Sequence, residues 1–280
     1  MTIRVRAPAT TANLGAGFDV AGAALDLWNE LEVDAGEGGE GGPIEGGAVD
    51  ESHLGVRAFA VYASPAGRAF RFTDRIPRER GLGSSAAVVA LGLVAGATAA
   101  RASLDVHELL AAGLALEGHA DNLAPALAGG VCLTWDGRVE RVADDLPAVP
   151  VAVIPKQRVN TAESRSALPG SVPRDDAVFS VVRATLLGAA LARGDASLFA
   201  AAADDRLHEP YRAAHAPQLA EIRADLPQGA IGATLSGSGP TVLVWATPGK
   251  APAVALELAS RFPDCAIEVL AVSASGASVF

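Results

Sequence analysis

Lysine is nearly missing from this chain: Lys156 and Lys250 are the only two in 280 residues. Any side-chain clamp for an anion must therefore be built from arginine, whose planar fork pairs bidentately with carboxylates and phosphates. Aromatic residues are scarce too, 5% against 50% hydrophobic overall, so the core has to be packed largely from Ala, Val and Leu. Cysteine occurs only at Cys132 and Cys265, with no metal-ligand spacing, and two reduced, buried thiols are expected. Basic charge is in deficit, with 22 Lys and Arg against 32 Asp and Glu and a net charge of −10. That balance argues against nucleic acid as a partner, because its binders carry basic patches. An anionic substrate would have to be drawn in by local arginines and helix dipoles, against the mean field. The apolar run from Ser84 to Ala100 is too short and too rich in Ala and Gly for a membrane span. Met1 to Arg6 lead straight into a strand-like segment rather than a secretory signal. The expectation is a cytoplasmic protein without a membrane or nucleic-acid partner.

The length allows two domains or one large one. Residues 2–7 alternate as a strand, Pro8 to Gly17 read as a polar loop, and residues 24–34 resume a strand. Gly36 to Gly47 are almost all Gly and Glu, which predicts an exposed hairpin connection. A short helix over Gly55 to Ala63 and a strand over Ala69 to Ile76 follow, then a long helix from Ser84. Asp105 and Glu108 form a capping box for a helix that ends near Glu117-Gly118, and residues 129–142 read as a hairpin turning at Asp136-Gly137. Pro147 and Pro150 suggest a boundary near residue 148. Beyond it come a buried-type strand over Val149 to Ile154, helices over 175–193, 195–206 and 215–225, strands over 230–235 and 240–246, a helix over 250–262 and a strand over 266–272. The loose alternation of helices and strands fits an α+β class better than a doubly wound sheet.

Chemistry concentrates in a few segments. Arg80-Gly81-Leu82-Gly83-Ser84-Ser85 places glycines and hydroxyls at a helix start, where unpaired N–H groups and the helix dipole favour an anion such as phosphate. It lacks the Gly-Lys-Ser/Thr of a P-loop and the third glycine of a dinucleotide fingerprint, which removes a dehydrogenase reading. Its bland alternative is a helix capped by Ser84. Ala7 to Asp19 gathers Thr10, Thr11, Asn13 and Asp19 in one stretch, suited to a ligand with an amine or hydroxyl or simply to a hydrogen-bonded turn. Glu117-Gly118-His119-Ala120-Asp121-Asn122 offers a carboxylate for a divalent cation and an amide for a reacting hydroxyl, or a solvated helix C-terminus. Ser236-Gly237-Ser238-Gly239-Pro240 is a tight turn between strands. Arg165 and Arg212 are either surface residues or a carboxylate clamp.

Together, in this order, these segments resemble the GHMP kinase superfamily: Pro8-x-x-x-x-Asn13-Leu-Gly near the N-terminus, Gly81-Leu-Gly-Ser-Ser85 in the middle and Gly237-Ser-Gly-Pro240 near the C-terminus. Glu117-Gly-His-x-Asp-Asn122 and Ala124-Pro-Ala-Leu-x-Gly-Gly130 are most similar to the homoserine kinase family within it. The resemblance runs from about residue 3 to the C-terminus. It implies a GHMP kinase fold, with an N-terminal ATP-binding domain like ribosomal protein S5 domain 2 (1–148) and a ferredoxin-like C-terminal domain (149–280). It implies transfer of phosphate from ATP to L-homoserine, giving O-phospho-L-homoserine on the way to threonine. By the same resemblance, Arg80, Gly81, Leu82, Gly83, Ser84 and Ser85 surround the ATP phosphates, and Ser85 and Glu117 hold Mg²⁺. Asp19 meets the substrate ammonium, and Arg165 and Arg212 meet its carboxylate. Asn13, His119, Asn122, Thr161 and Gly237 line the substrate. Asn122, Glu117 and Arg165 are the expected catalytic residues, and a homodimer is compatible with related kinases.

Asn122 stands where mevalonate kinase-like members carry a basic Asp, so no dedicated general base is expected. Arg78-Glu79-Arg80 replaces an extra glycine that many family members carry ahead of the phosphate loop, and His53 or its neighbourhood stands where relatives often have an adenine-binding Asn. The rival readings are another small-molecule kinase of this superfamily, of mevalonate-pathway or shikimate type, and a ligand sensor without turnover.

Overall fold

The computed structural model describes residues 2–35 and 52–280. The expected hairpin connection of Gly36 to Gly47 lies outside the described residues. β1 (Thr2–Ala12) and β2 (Ala21–Ala35) pair antiparallel along their length, from Thr2 opposite Asp34 to Ala12 opposite Gly22. The sequence predicts that β1 stops at Ala7. The strand instead continues through Pro8, because the register shifts between Pro8 and Ala9 and lets a residue without an N–H sit in the ladder. β3 (Arg68–Thr73) also pairs with β2, and β4 (Val131–Trp135) with β5 (Arg138–Ala143) forms the expected hairpin at Asp136-Gly137. With β10 (Ser278–Val279) the first sheet runs β10-β1-β2-β4-β5, and β3 lies beside β2 off that path.

Helices α1 (Leu54–Ala60), α2 (Ser84–Ala100), α3 (Val106–Glu117) and α4 (Ala120–Ala128) pack with this sheet. Every residue of α2 from Ala86 to Ala97 is buried, as its all-round apolar sequence demands. Asp105 caps α3 through the N–H groups of His107 and Glu108, and Gly118 ends it in the left-handed region. α3 stops at the helix end expected near Glu117-Gly118, but no helix is expected from the sequence where α4 follows. His119 is in fact the N-cap of a new helix, and Asp121 and Asn122 lie in its first turn. Pro125 hid it. Its missing N–H frees the Asp121 carbonyl, which packs so closely on Gly22 of β2 that a Cβ there would sit 2.0 Å from the oxygen.

The second sheet is antiparallel throughout, in the order β7 (Ala230–Leu235), β8 (Val242–Ala246), β6 (Val149–Ile154), β9 (Ala266–Val269). Its period-2 alternation divides two cores. Ala152, Ile154, Leu243 and Trp245 join the core of the first sheet, while Val151, Val153, Val242 and Val244 face α9 (Pro217–Ala224) and α10 (Ala251–Arg261). α5 (Thr161–Ser166), α6 (Arg174–Arg193), α7 (Ala196–Ala201) and α8 (Glu209–Arg212) complete the chain. α6 stops at Gly194 and Asp195 caps α7 as expected. α7 ends five residues before the expected 206, because the Asp205 carboxylate takes the N–H groups of Leu207, His208 and Glu209 and starts α8 instead. The short α5 and α8 carry too little periodicity to be read from sequence. After β9 the chain returns to the first sheet, where Val279 pairs with Val5. Cys132 is buried as expected. Cys265 is only half-buried, a correction to the expected pair of buried thiols, because it follows the exposed Asp264 at the turn into β9. Among the described residues no helix is long and apolar enough to cross a membrane.

Candidate active site

The glycine-serine segment forms the floor of a pocket by turning its carbonyls backwards. Arg80 O accepts from Thr241 N at 3.2 Å, Gly81 O from Ser236 Oγ at 2.6 Å and Leu82 O from Thr10 N at 3.1 Å. The partners come from the β1 stretch and from the turn before β8, so all three glycine-bearing segments meet here. Two glycines make this approach possible. A Cβ on Gly81 would lie 2.2 Å from Ser236 O and one on Gly83 1.8 Å from Thr10 Oγ1, and both residues have φ above +60°. With the carbonyls tied down, the backbone amides of residues 81–86 have no hydrogen-bond acceptor among the described residues. α2 begins at Gly83 without a side-chain cap, so Ser84 is not the cap that the bland reading expected. This is a row of unpaired donors at the positive end of a 17-residue helix, a site for a polyanion.

Beside the row, Ser85 Oγ donates to Glu117 Oε2 at 2.6 Å. Burial drives the Glu117 carboxyl up to about 7, with Asp121 adding to the shift and Ser85 opposing it. The carboxyl and the adjoining hydroxyl, next to the amide row, are an oxygen pair of the kind a hard divalent cation takes. Among the described residues there is no group of three or more His, Cys, Asp or Glu that could hold a metal by itself.

The opposite end of the pocket carries the charged pair. Arg165 of α5 donates to both carboxylate oxygens of Asp19, at 2.6 and 3.1 Å. Arg212 is buried. Its Nη1 donates to Gly237 O at 3.1 Å and meets His208 Nδ1 at 3.2 Å, while its Nε has no partner. Asn13, at φ +76°, locks the Asp19 loop by donating to Gly237 O at 3.0 Å and accepting from Asp19 N at 3.1 Å. Asn122 Oδ1 accepts from Thr10 Oγ1 at 2.8 Å. Burial, and then the charge of Arg165, holds His119 below the usual imidazole value and therefore neutral at pH 7.

Every site residue expected from the sequence lines this one pocket except Thr161, whose side chain is not among those described. The sequence reading gave no lining role to Glu79, Asp121, Val159 and Ser238, which also line it. Asp121 is the chemically important addition: burial, reinforced by Asp19, lifts its carboxyl to about 6. Its position beside Asn122 was the available signal. Two expectations change. Arg80 does not turn its guanidinium to the anion row. It donates to Pro155 O at 2.8 Å and to the carbonyls of Lys156 and Arg78, tying the glycine-serine loop to the end of β6. Arg78 is paired with Asp74. Asp19 and Arg165, expected to face opposite ends of a ligand, here face each other.

The chain is similar to known proteins over nearly its whole length. The family model for the GHMP kinases N terminal domain matches residues 53–130, and the one for the GHMP kinases C terminal matches residues 188–264. A homoserine kinase of Clavibacter michiganensis subsp. michiganensis is 39% identical, across 99% of this chain and 93% of its own length. Another, from Moorella thermoacetica, is 40% identical across 98% and 99%. The crystal structure of a homoserine kinase from Cytophaga hutchinsonii matches with a TM-score of 0.85 at 27% identity, covering 100% of this chain and 97% of that one. The chain belongs to the homoserine kinase family of the GHMP kinases, which are ATP-dependent small-molecule kinases.

Proposed function

We propose that the pocket transfers the γ-phosphoryl group of ATP to the side-chain hydroxyl of L-homoserine, releasing ADP and O-phospho-L-homoserine, a cytoplasmic step toward threonine. The single observation that carries the reading is the opposition, in one pocket, of an unpaired amide row at residues 81–86 and the Asp19, Arg165 and Arg212 charges. The first suits a triphosphate and the second an amino-acid zwitterion. Asp19 takes the ammonium, and Arg165 and Arg212 take the carboxylate. Asn13, His119, Thr161 and Gly237 complete the substrate wall. A second cavity, lined by His53, Leu54 and Val88 and sharing Ser84 and Ser85 with the first, extends from the amide row and suits the nucleoside. Residues 1–148 and 149–280 would be the two domains, with the return of β10 to the first sheet tying them together.

Ser85 and Glu117 would hold Mg²⁺ together with the phosphates, where the ion supplies neutralisation of the oxygens of the transferring group. Arg165 and Asp19 fix the two charged ends of the substrate and so the direction of its hydroxyl. Asn122 presents an amide beside that hydroxyl and accepts no proton at neutral pH. Phosphoryl transfer through a loose transition state draws most of its catalysis from such positioning and from charge neutralisation. The hydroxyl proton leaves late, to a phosphate oxygen or to solvent. The test is ADP release with ATP and Mg²⁺ across L-homoserine, mevalonate and shikimate. Turnover of L-homoserine alone is expected. Turnover of either other alcohol in its place overturns the assignment, and none with any of the three favours the sensor reading.

A further inference from the structure

Arg212 is held from behind by a residue that the sequence reading left out. His208 is fully buried between Gly15 and Arg212. Its Nε2 lies 3.1 Å from Gly15 O, which can only accept, so Nε2 carries the proton. Its Nδ1 lies 3.2 Å from Arg212 Nη1, which can only donate, so Nδ1 offers a lone pair. The ring stacks on Phe18, next to Asp19 in the chain, at 4.9 Å and 17° between planes. Nη1 of Arg212 spends its two protons on His208 and Gly237, which leaves the Nε and Nη2 edge for another acceptor, and Nε is buried without one. That edge presents two parallel N–H groups at the spacing of a carboxylate.

We infer that His208 is a positioning residue: as the neutral Nε2–H tautomer it joins the Asp19 loop to Arg212 and turns the guanidinium edge toward the substrate carboxylate. The inference rests on the reading that Arg212 binds that carboxylate. The charged groups facing the ring are Asp205, whose Oδ2 is 3.6 Å from Nε2, then Arg212 and, further off, Asp19. A protonated ring would turn an N–H against Arg212 and break the contact.

Three variants separate its two hydrogen bonds. His208→Phe removes both and keeps the stack on Phe18, His208→Gln keeps a donor for Gly15 O, and His208→Asn keeps an acceptor near the Nδ1 position. The Phe and Gln variants are expected to raise KM for L-homoserine by roughly tenfold or more, as for loss of a hydrogen bond to a charged group, with KM for ATP unchanged. His208→Asn is expected to recover most of that loss. Arg212→Leu, measured alongside, separates the two readings. If it leaves the homoserine KM unchanged, the carboxylate reading fails. If it raises that KM while His208→Phe does not, the positioning role fails. If the variants do not fold, ¹⁵N spectra of the unmodified protein decide. A buried histidine with protonated Nε2 and bare Nδ1 at pH 6–8, perturbed by L-homoserine, supports the inference, and the opposite tautomer or a charged ring overturns it.

Discussion

Arg165 grips Asp19 at two points, 2.6 and 3.1 Å, across the mouth of the proposed substrate site. The side chains keep 30% and 42% of their exposure, so the pair contributes at most about 1 kcal/mol and is easily exchanged. An amino-acid zwitterion can replace each partner with its own counter-charge: the ammonium goes to Asp19 and the carboxylate to Arg165. A ligand with only one of these charges strands the other partner. Asp19→Asn is therefore expected to raise KM for L-homoserine roughly tenfold to a hundredfold, with KM for ATP within a factor of about two. L-Homoserine amide should fare poorly with the parent protein despite its intact ammonium. Equal KM values for the amide and the acid would remove Arg165 from the carboxylate.

Gly83 tests the other end. Its φ of +65° and the 1.8 Å approach of a built Cβ to Thr10 Oγ1 leave no room for a methyl group unless the loop lifts off β1. Lifting it would swing the amide row away from the phosphates. Gly83→Ala should raise KM for ATP by about tenfold or more and cost about 1–3 kcal/mol of stability, a strained-backbone figure. Steady-state kinetics in ATP and a denaturant titration measure both. A normal KM for ATP would mean that these amides do not hold it.

The sequence made this pocket legible because its parts are short, local and conformationally demanding. Gly81, Gly83 and Gly237 announce turns, Asp105 and Asp195 announce caps, and the Val149–Ile154 run announces a buried strand. What it hid depends on contacts between distant segments. Asp205 diverts the chain from α7 into α8 through three backbone N–H groups, which no periodicity records. Pro125 reads as a helix breaker until the Asp121 carbonyl is seen packed on Gly22, a hundred positions away in the chain. Arg80 beside a glycine-serine loop looks like an anion ligand until the carbonyls of Pro155 and Lys156 claim its guanidinium.

That last contact makes a distinct prediction. A guanidinium spent on carbonyls holds the loop in place without touching the phosphates, so Arg80→Gln should act mainly on stability. A loss of about 1–3 kcal/mol is expected from hydrogen bonds to a charged donor, with KM for ATP rising less than about fivefold. Burial depresses the guanidinium's proton affinity, but it stays charged at any working pH. A hundredfold rise in KM for ATP in a stably folded variant would return Arg80 to the phosphate site.

Asp121 decides whether the reaction has a base. Its carboxyl rises from 3.8 to about 6, first through burial and then through Asp19. Between those values the folded chain keeps a proton that the unfolded chain has released. Unfolding then gives up a proton, and stability of the ligand-free protein falls as pH rises from about 4 to about 6 and stays low above it. Asp121→Asn removes the cost without changing the shape. The variant should be more stable than the parent by about 1–3 kcal/mol at pH 8, with no such gain at pH 4. Thermal melts at the two pH values measure this. The same variant tests the chemistry. A base that takes the hydroxyl proton contributes about a hundredfold to ten-thousandfold to kcat, and its loss would erase a limb of the kcat–pH profile near pH 6. Without a dedicated base, kcat should fall less than about tenfold and the profile should keep its shape. A collapse of kcat in a variant with the predicted gain in stability would make Asp121 the base and Asn122 only its neighbour.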